Sequence, residues 1–466
     1  MKQELLRKIP SVSELLSSAT ATGWMEQYPR VLVSDCIRQA VEELRQQVLQ
    51  DDADRCGPAH VAPEYVLDSA RQKLRDATSP HIRRAINATG IILHTGLGRA
   101  VWPERVVDSL SADLTGYVTL AIDRRDGERL ERDRQVEYVL TELTGAEAAT
   151  VVNNNAAATL LVLAALAAGK EVIVSRGQLI EIGGSFRLPE VMVQSGARLV
   201  EVGTTNRTHL RDYTNGIAEN TAAVMRVHPS NYRIVGFTSQ VGLPELVELA
   251  HSRGLWVLDD LGAGALVDLE RFGLPHEPTA RESIQAGADA VLFSADKLIG
   301  AAQGGIFVGR RDCIDRIRRH PLARALRPDK NALMVLERTL HLFRDPQRLA
   351  ETHPLYRMLS MPVEAIKRRA EALAAAIAQA APQATVVVTD GVGYLGSGSL
   401  PTQELPDCLV VVSLPNLKSD ELARRLRMDE ACVFARIAND RLVMNVRTLT
   451  DADIPLVAAA VARAAS

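Results

Sequence analysis

Lys297 lies in the string VLFSADKLIGAAQGG (Val291–Gly305), just past an apolar run that reads as a buried strand and among small residues. A lysine held there loses solvation, which lowers its pKa and favours the free amine that forms an imine with an aldehyde. Ser294, three residues earlier, has a hydroxyl to offer a phosphate. Gly300, Gly304 and Gly305 let backbone approach a ligand closely. A lysine at a strand end is also ordinary surface, so this string by itself leaves both readings open.

Two further strings favour chemistry. In VLDDLG (Val257–Gly262), a carboxylate ends a buried strand, where it can pair with a protonated pyridine nitrogen and keep the ring an electron sink. Asp260 is our choice for that partner, and Asp259 is its rival, because adjacent strand residues point opposite ways. In VVNNNAAA (Val151–Ala158), asparagines and small residues open a helix whose exposed N–H groups suit a phosphate. Asn154, Asn155 and Ala156 are the expected contacts. An amine, a ring-facing carboxylate and a phosphate cradle together describe a site for pyridoxal 5'-phosphate. His228 follows a strand and precedes Pro229, so it either lies against the ring or is a structural histidine; His94 is open in the same way. Arg324 and Arg327, three apart, share a face if helical and would clamp a phosphate-like anion. Residues 310–330 hold eight Arg or Lys against three Asp, so a solvated basic face or an RNA-backbone contact also fits.

These residues need elements to position them. Val- and Ile-rich strands are predicted at Glu171–Ser175, Arg198–Val202, Ala222–Val227, Leu255–Asp259, Ala290–Ser294 and Gly305–Val308, with helices at Asn155–Ala168 and Leu243–His251. That alternation argues an α/β fold with a mostly parallel central sheet covered on both faces. Polar segments follow the strands at 175–177, 228–231, 260–262 and 294–297, where open α/β sheets gather their sites. Residues 1–85 read as a small helical domain with a linker at Asp51–Pro63. Residues 86–361 form the large domain. Residues 362–466 form a small α/β domain with a helix at Val363–Ala380, a Gly/Ser loop at Gly391–Ser399, and strands at Cys408–Ser413, Val433–Ile437 and Arg441–Asn445.

The whole chain bounds the partners. Its 466 residues exceed one usual core, and 47% hydrophobic with 24% charged residues suits a globular protein. Five scattered cysteines without a C-x-x-C pair suit a reducing compartment and offer no metal-site spacing. The start (MKQELLRKIP) is charged where an export signal needs an apolar core, and no apolar run reaches the ~18 residues of a membrane span, so a cytoplasmic location away from membranes is expected. A net charge of -3 leaves nucleic acid open, as do the twelve basic and twelve acidic residues of positions 1–85; an RNA grip there needs a directional face such as that of Arg38 and Arg45.

Over nearly its whole length the chain resembles the bacterial L-seryl-tRNA(Sec) selenium transferases, or selenocysteine synthases. The resemblance is carried by IPSV at Ile9, NATGIILHTGLGR (Asn87–Arg99), NNNAA at Asn153, EIGGSFR (Glu181–Arg187), VGTTNR (Val202–Arg207), HPSNY at His228, DLG at Asp260, DKL at Asp296 and PLARALRPDK (Pro321–Lys330). It implies a pyridoxal-phosphate enzyme of the aspartate-aminotransferase fold, fold type I. Such an enzyme makes selenocysteinyl-tRNA from seryl-tRNA(Sec) and selenophosphate by elimination of water and addition of selenium. It implies that Lys297 carries the cofactor, with Asp296 beside it as a candidate acid, Thr204 and Thr205 as active-site threonines, and Arg99, Arg324 and Arg327 handling the selenium donor. A homo-oligomer, a pentamer of dimers, and a tRNA-gripping N-terminal domain are implied as well. Gly96, Gln178, Ala295 and Ala301 depart from the family pattern and bear on the substrate. The rival readings are a related lyase acting on a small amino acid or amino sugar phosphate, and a non-catalytic RNA-binding scaffold.

Overall fold

The computed structural model describes residues 2–50, 58–184 and 186–466, and the chain divides into two units, Met1–Arg84 and Ala85–Ser466. In the first, the helix Arg30–Gln50 buries Val33, Ile37, Val41, Leu44 and Val48, and the helix Pro63–Thr78 buries Val66, Leu67, Ala70 and Leu74. Those 3.6-period stripes meet shorter helices in one small core. Ser11 and Ser18 cap two of them by accepting from backbone N–H groups. Of the expected linker, residues 51–57 lie outside the described residues, and Pro58–Val61 is a short 3-10 turn.

The second unit is built on seven strands: β1 (Ala148–Val152), β2 (Glu171–Ser175), β3 (Arg198–Val202), β4 (Thr221–Val227), β5 (Trp256–Gly262), β6 (Ala290–Ser294) and β7 (Gly305–Gly309). Their order is β1-β7-β6-β5-β4-β2-β3. β7 runs against both neighbours, and the other pairs are parallel. β1, β6 and β7 are buried along their whole length, because helices cover both faces and each face has its own apolar core. A second sheet, ordered β8-β9-β11-β10, is formed by β8 (Thr385–Gly396), β9 (Ser399–Ser413), β10 (Arg436–Ala438) and β11 (Arg441–Asn445). It shares a core with the helices Val363–Ala380 and Asp453–Ala465.

Three local expectations are corrected. Residues 391–399 are not a loop: β8 and β9 run through them and turn only at Ser397 and Gly398, both at positive φ. The glycines there mark close packing, since a Cβ on Gly391 would sit 2.4 Å from Leu409 and one on Gly393 2.8 Å from the Gly90 carbonyl. Val433–Ile437 is split, with Val433–Phe434 pairing parallel to Ile86–Asn87 before β10 begins. β5 continues past Asp259 through Gly262, and its register with β6 slips between Asp260 and Gly262. The hairpin of β8 and β9 also reaches residues 90–93, where Tyr394 N–H donates to Gly90 and Leu93 N–H donates to Leu395. Residues on both sides of the expected boundary at 361 thereby belong to one unit.

Candidate active site

The carboxyl ends of β1, β4, β5 and β6 deliver side chains to one cavity of about 270 Å³. Its lining includes Arg99, Asn154, Asn155, Ala156, His228, Asp260, Ser294 and Lys297. Five separate strings of the sequence therefore converge, four of them at the end of a strand or the start of the helix Asn155–Ala167, and Arg99 from the turn after the short 3-10 helix Thr95–Leu97.

Register turns Asp260, and not Asp259, into this cavity. Asp260 Oδ1 accepts from Asn155 Nδ2 at 2.9 Å and from Gly262 N–H at 3.0 Å, while Oδ2 accepts from Thr159 Oγ1 at 3.1 Å. Burial pushes its pKa up, and those hydrogen bonds work against the shift. Asp259 faces away and is locked to Arg226 by two 2.6 Å hydrogen bonds. Asn155 and Thr159 stand four apart on one helix, so a single face presents both to Asp260. Asn155 Oδ1 is buried without a partner among the described residues, a free acceptor on a cavity-lining side chain.

The helix start is capped by Asn154, whose Oδ1 accepts from Ala157 N–H at 2.8 Å. A Cβ on Gly305 would lie 2.2 Å from the Asn154 carbonyl, so β7 reaches the helix start only because residue 305 has no side chain. Asn154, Asn155, Ala156 and Ser294 then offer N–H and O–H groups to an anion at the positive end of a thirteen-residue helix.

Lys297 is buried, and desolvation is the main cause of its lowered pKa; Arg99 adds to the lowering, while Asp260, Asp296 and Glu277 oppose it. Arg99 has left-handed backbone at φ 64° and donates to Asp296 Oδ2 at 2.6 Å. Asp296 is thus engaged as an acceptor that aims Arg99. His228 lines the cavity with Nε2 3.1 Å from buried Glu277.

Other expected residues lie elsewhere in this chain. Arg324 and Arg327 line a different cavity of about 580 Å³, together with Arg129, Arg132 and Arg318. They do not share a helix face, because the helix Pro321–Ala325 ends before Arg327. Arg132 and then burial and Arg324 lower the Arg327 pKa, a sign of crowded positive charge. Thr204 and Thr205 sit on an exposed loop, where Thr204 Oγ1 donates to the Arg207 carbonyl at 3.0 Å. Of the departures, Ala295 and Ala301 are buried beside the Lys297 turn and do not line the cavity, and Gln178 Oε1 accepts from Val227 N–H at 3.1 Å. Sequence reasoning missed Glu277, Ser230, Gln303 and Thr159. Ser230 and Gln303 lay within strings already singled out, Thr159 carried its spacing of four from Asn155, and Glu277 carried no signal.

The comparisons agree with one another. A family model described as L-seryl-tRNA selenium transferase matches residues 85–450, and one described as selenocysteine synthase N terminal matches residues 6–45. Curated proteins named L-seryl-tRNA(Sec) selenium transferase are similar to the chain end to end. That of Geotalea daltonii is 43% identical over 457 residues, covering 98% of both chains, and that of Nitratidesulfovibrio vulgaris is 44% identical over 465 residues, covering 99% of both. Among solved structures, D-glucosaminate-6-phosphate ammonia-lyase matches with a TM-score of 0.57 at 19% identity, over 83% of this chain and 99% of that one. The chain shares the fold of that lyase, with a mixed, mostly parallel central sheet.

Proposed function

Since the chain belongs to the family of L-seryl-tRNA(Sec) selenium transferases, we propose that the Lys297 cavity is where it converts L-seryl-tRNA(Sec) to L-selenocysteinyl-tRNA(Sec) with pyridoxal phosphate and selenophosphate. The observation that carries this reading is the placement of Lys297, Asp260 and the start of the helix Asn155–Ala167 around one cavity. The donor set fits the cofactor: a buried amine for its aldehyde, a carboxylate for its ring nitrogen, and an N–H-rich helix start with Ser294 for its phosphate. His228, held by Glu277, is placed to lie against the ring.

When bound, pyridoxal phosphate supplies an aldehyde for amines and a protonated ring that draws electrons from the carbon beside the attached nitrogen. Asp260 keeps the proton on that ring nitrogen, and Asn155 and Thr159 hold the carboxylate in place. Lys297, its pKa lowered by burial, is the amine that would hold the cofactor, and its Nζ would take the proton from the seryl Cα. The β-hydroxyl would take up a proton and leave as water, the selenium of selenophosphate would bond to the β-carbon as a proton returns to Cα, and water would take the phosphoryl group as the Se–P bond breaks, releasing phosphate. Arg99, aimed by Asp296, orients the anionic donor by forked hydrogen bonds.

Arg324 and Arg327 act on the same anion only where another subunit brings their cavity to it. A homo-oligomer, a pentamer of dimers, is the assembly we propose, with Thr204 and Thr205 also working from their exposed loop across subunits. Residues 1–85 grip the transfer RNA, 86–361 hold the cofactor and 362–466 form the small domain. On the helix Arg30–Gln50, Arg38 and Arg45 are exposed and pair with Asp35 and Glu42 one turn away, weak contacts that RNA phosphates can displace. Among the described residues no helix is long and apolar enough to cross a membrane, and the cytoplasm is the proposed location. The test is to incubate the purified protein with pyridoxal phosphate, seryl-tRNA(Sec) and selenophosphate and identify the amino acid released from the RNA. Selenocysteine is expected; serine alone, with a proven selenophosphate supply, would replace this reading by a related lyase.

A further inference from the structure

We infer that His353 and Tyr356 are positioning residues for Lys297, acting from behind the cavity on the backbone turn that carries it. The inference rests on the reading of Lys297 as the cofactor-bearing amine.

Neither residue lines the Lys297 cavity, and both are wholly buried. Tyr356 Oη donates to the Leu298 carbonyl at 2.7 Å, and His353 Nε2 donates to the Ile299 carbonyl at 3.0 Å. Among the described residues, these are the hydrogen bonds that reach the two carbonyls immediately after the lysine. The histidine has one proton placement: Nδ1 accepts from Leu355 N–H at 3.2 Å, so Nε2 carries the hydrogen. Burial lowers its pKa to about 4, which keeps the ring neutral and the donor constant near neutral pH.

The rings are themselves held. His353 and Tyr356 meet edge-on with centroids 5.3 Å apart, and Phe343 packs edge-on against both at 6.0 and 5.7 Å. Gly300, at φ +69°, is the socket for the histidine: a Cβ there would be 2.3 Å from His353 Cε1. The Lys297 turn is closed by Gly300 N–H donating to the Lys297 carbonyl and Ala301 N–H donating to the Ala295 carbonyl. A buried polar group left unpaired is costly, so each ring binds its carbonyl at one place and fixes the turn. The amine follows the turn. Around it stand Arg99, Asp260, Asp296 and Glu277, whose combined field depends on where Nζ sits.

The experiment titrates cofactor-free protein with two probes. Pyridoxal phosphate joins the Lys297 amine with loss of water, whereas pyridoxamine phosphate fills the cavity without bonding to the lysine. In Tyr356→Phe, which keeps the ring, pyridoxal phosphate should bind about tenfold more weakly at neutral pH, the scale of one lost buried hydrogen bond. Pyridoxamine phosphate should bind as to wild type within about twofold. The deficit should shrink as pH rises, because an amine that drifts toward solvent regains an ordinary pKa. His353→Gln, which keeps a donor, should be milder than His353→Leu, and this series decides the matter if Tyr356→Phe does not fold. Equal weakening of both probes reduces the pair to general packing and overturns the inference, as does unchanged affinity. Wild-type protein that takes up no pyridoxal phosphate overturns the reading of the cavity and the inference with it; normal wild-type uptake with wild-type behaviour in every variant overturns the inference alone.

Discussion

Asp259 and Asp260 are neighbours on β5 and have opposite surroundings. Asp260 has neutral hydrogen-bond donors and the cavity; Asp259 has a guanidinium. Their amide variants should therefore fail differently. Asp260→Asn should fold normally and lose about 10²- to 10³-fold in kcat, the scale of removing a preorganised charge from a reacting centre. Asp259→Asn leaves Arg226 without its buried partner and should cost roughly 3 kcal/mol of stability, with near-normal turnover per folded molecule. Denaturant melts beside single-turnover rates separate the two, and a catalytic defect confined to Asp259→Asn would reverse the assignment.

At the scale of elements, the site depends on two close approaches. β7 comes within a hydrogen's breadth of the helix start at Gly305. Gly305→Ala should displace Asn154 and weaken pyridoxal phosphate and pyridoxamine phosphate alike, by about tenfold or more, because both use the same phosphate cradle. Equilibrium titration checks this, and loss for only one probe would contradict it. The second approach is that of His353 to the Lys297 turn. Its pKa falls from 6.5 to about 4 on folding. A base with a depressed folded pKa is protonated first in the unfolded chain. Its stabilising contribution is thus fully present above pH 6.5 and is lost as pH falls toward 4, a change on the order of 3 kcal/mol. Unfolding midpoints measured between about pH 7 and about pH 4.5 should fall more steeply for wild type than for His353→Gln.

At the scale of the whole molecule, the helical unit has a core of its own, built from residues between Leu5 and Leu74. Removing residues 1–84 should therefore leave pyridoxal phosphate uptake intact while weakening seryl-tRNA(Sec) binding, by about tenfold or more if several phosphate contacts go. Filter binding at fixed salt, beside a cofactor titration, reads both. Unchanged RNA affinity would remove the RNA role from this unit.

The sequence by itself determined which groups are candidates for chemistry and roughly where they stand. Buried strands announce themselves by Val and Ile runs, helix starts by Asn and small residues, and the lysine, aspartate and asparagines each sit beside such a signal. What it could not decide was pairing across long separations. The register of β5 against its neighbours turns Asp260 into the cavity and Asp259 onto Arg226. The Arg99–Asp296 pair, Glu277 behind His228, and the two rings beneath Lys297 come from segments whose meeting is not encoded in local periodicity. Arg324 and Arg327 were expected from their spacing to share a helix face, and from the family resemblance to act with Arg99, yet the helix Pro321–Ala325 ends before Arg327 and both line another cavity. Local patterns reflect nearest-neighbour propensity and burial, whereas a site is made by contacts between distant segments, and only the packed sheet and its covering helices specify those.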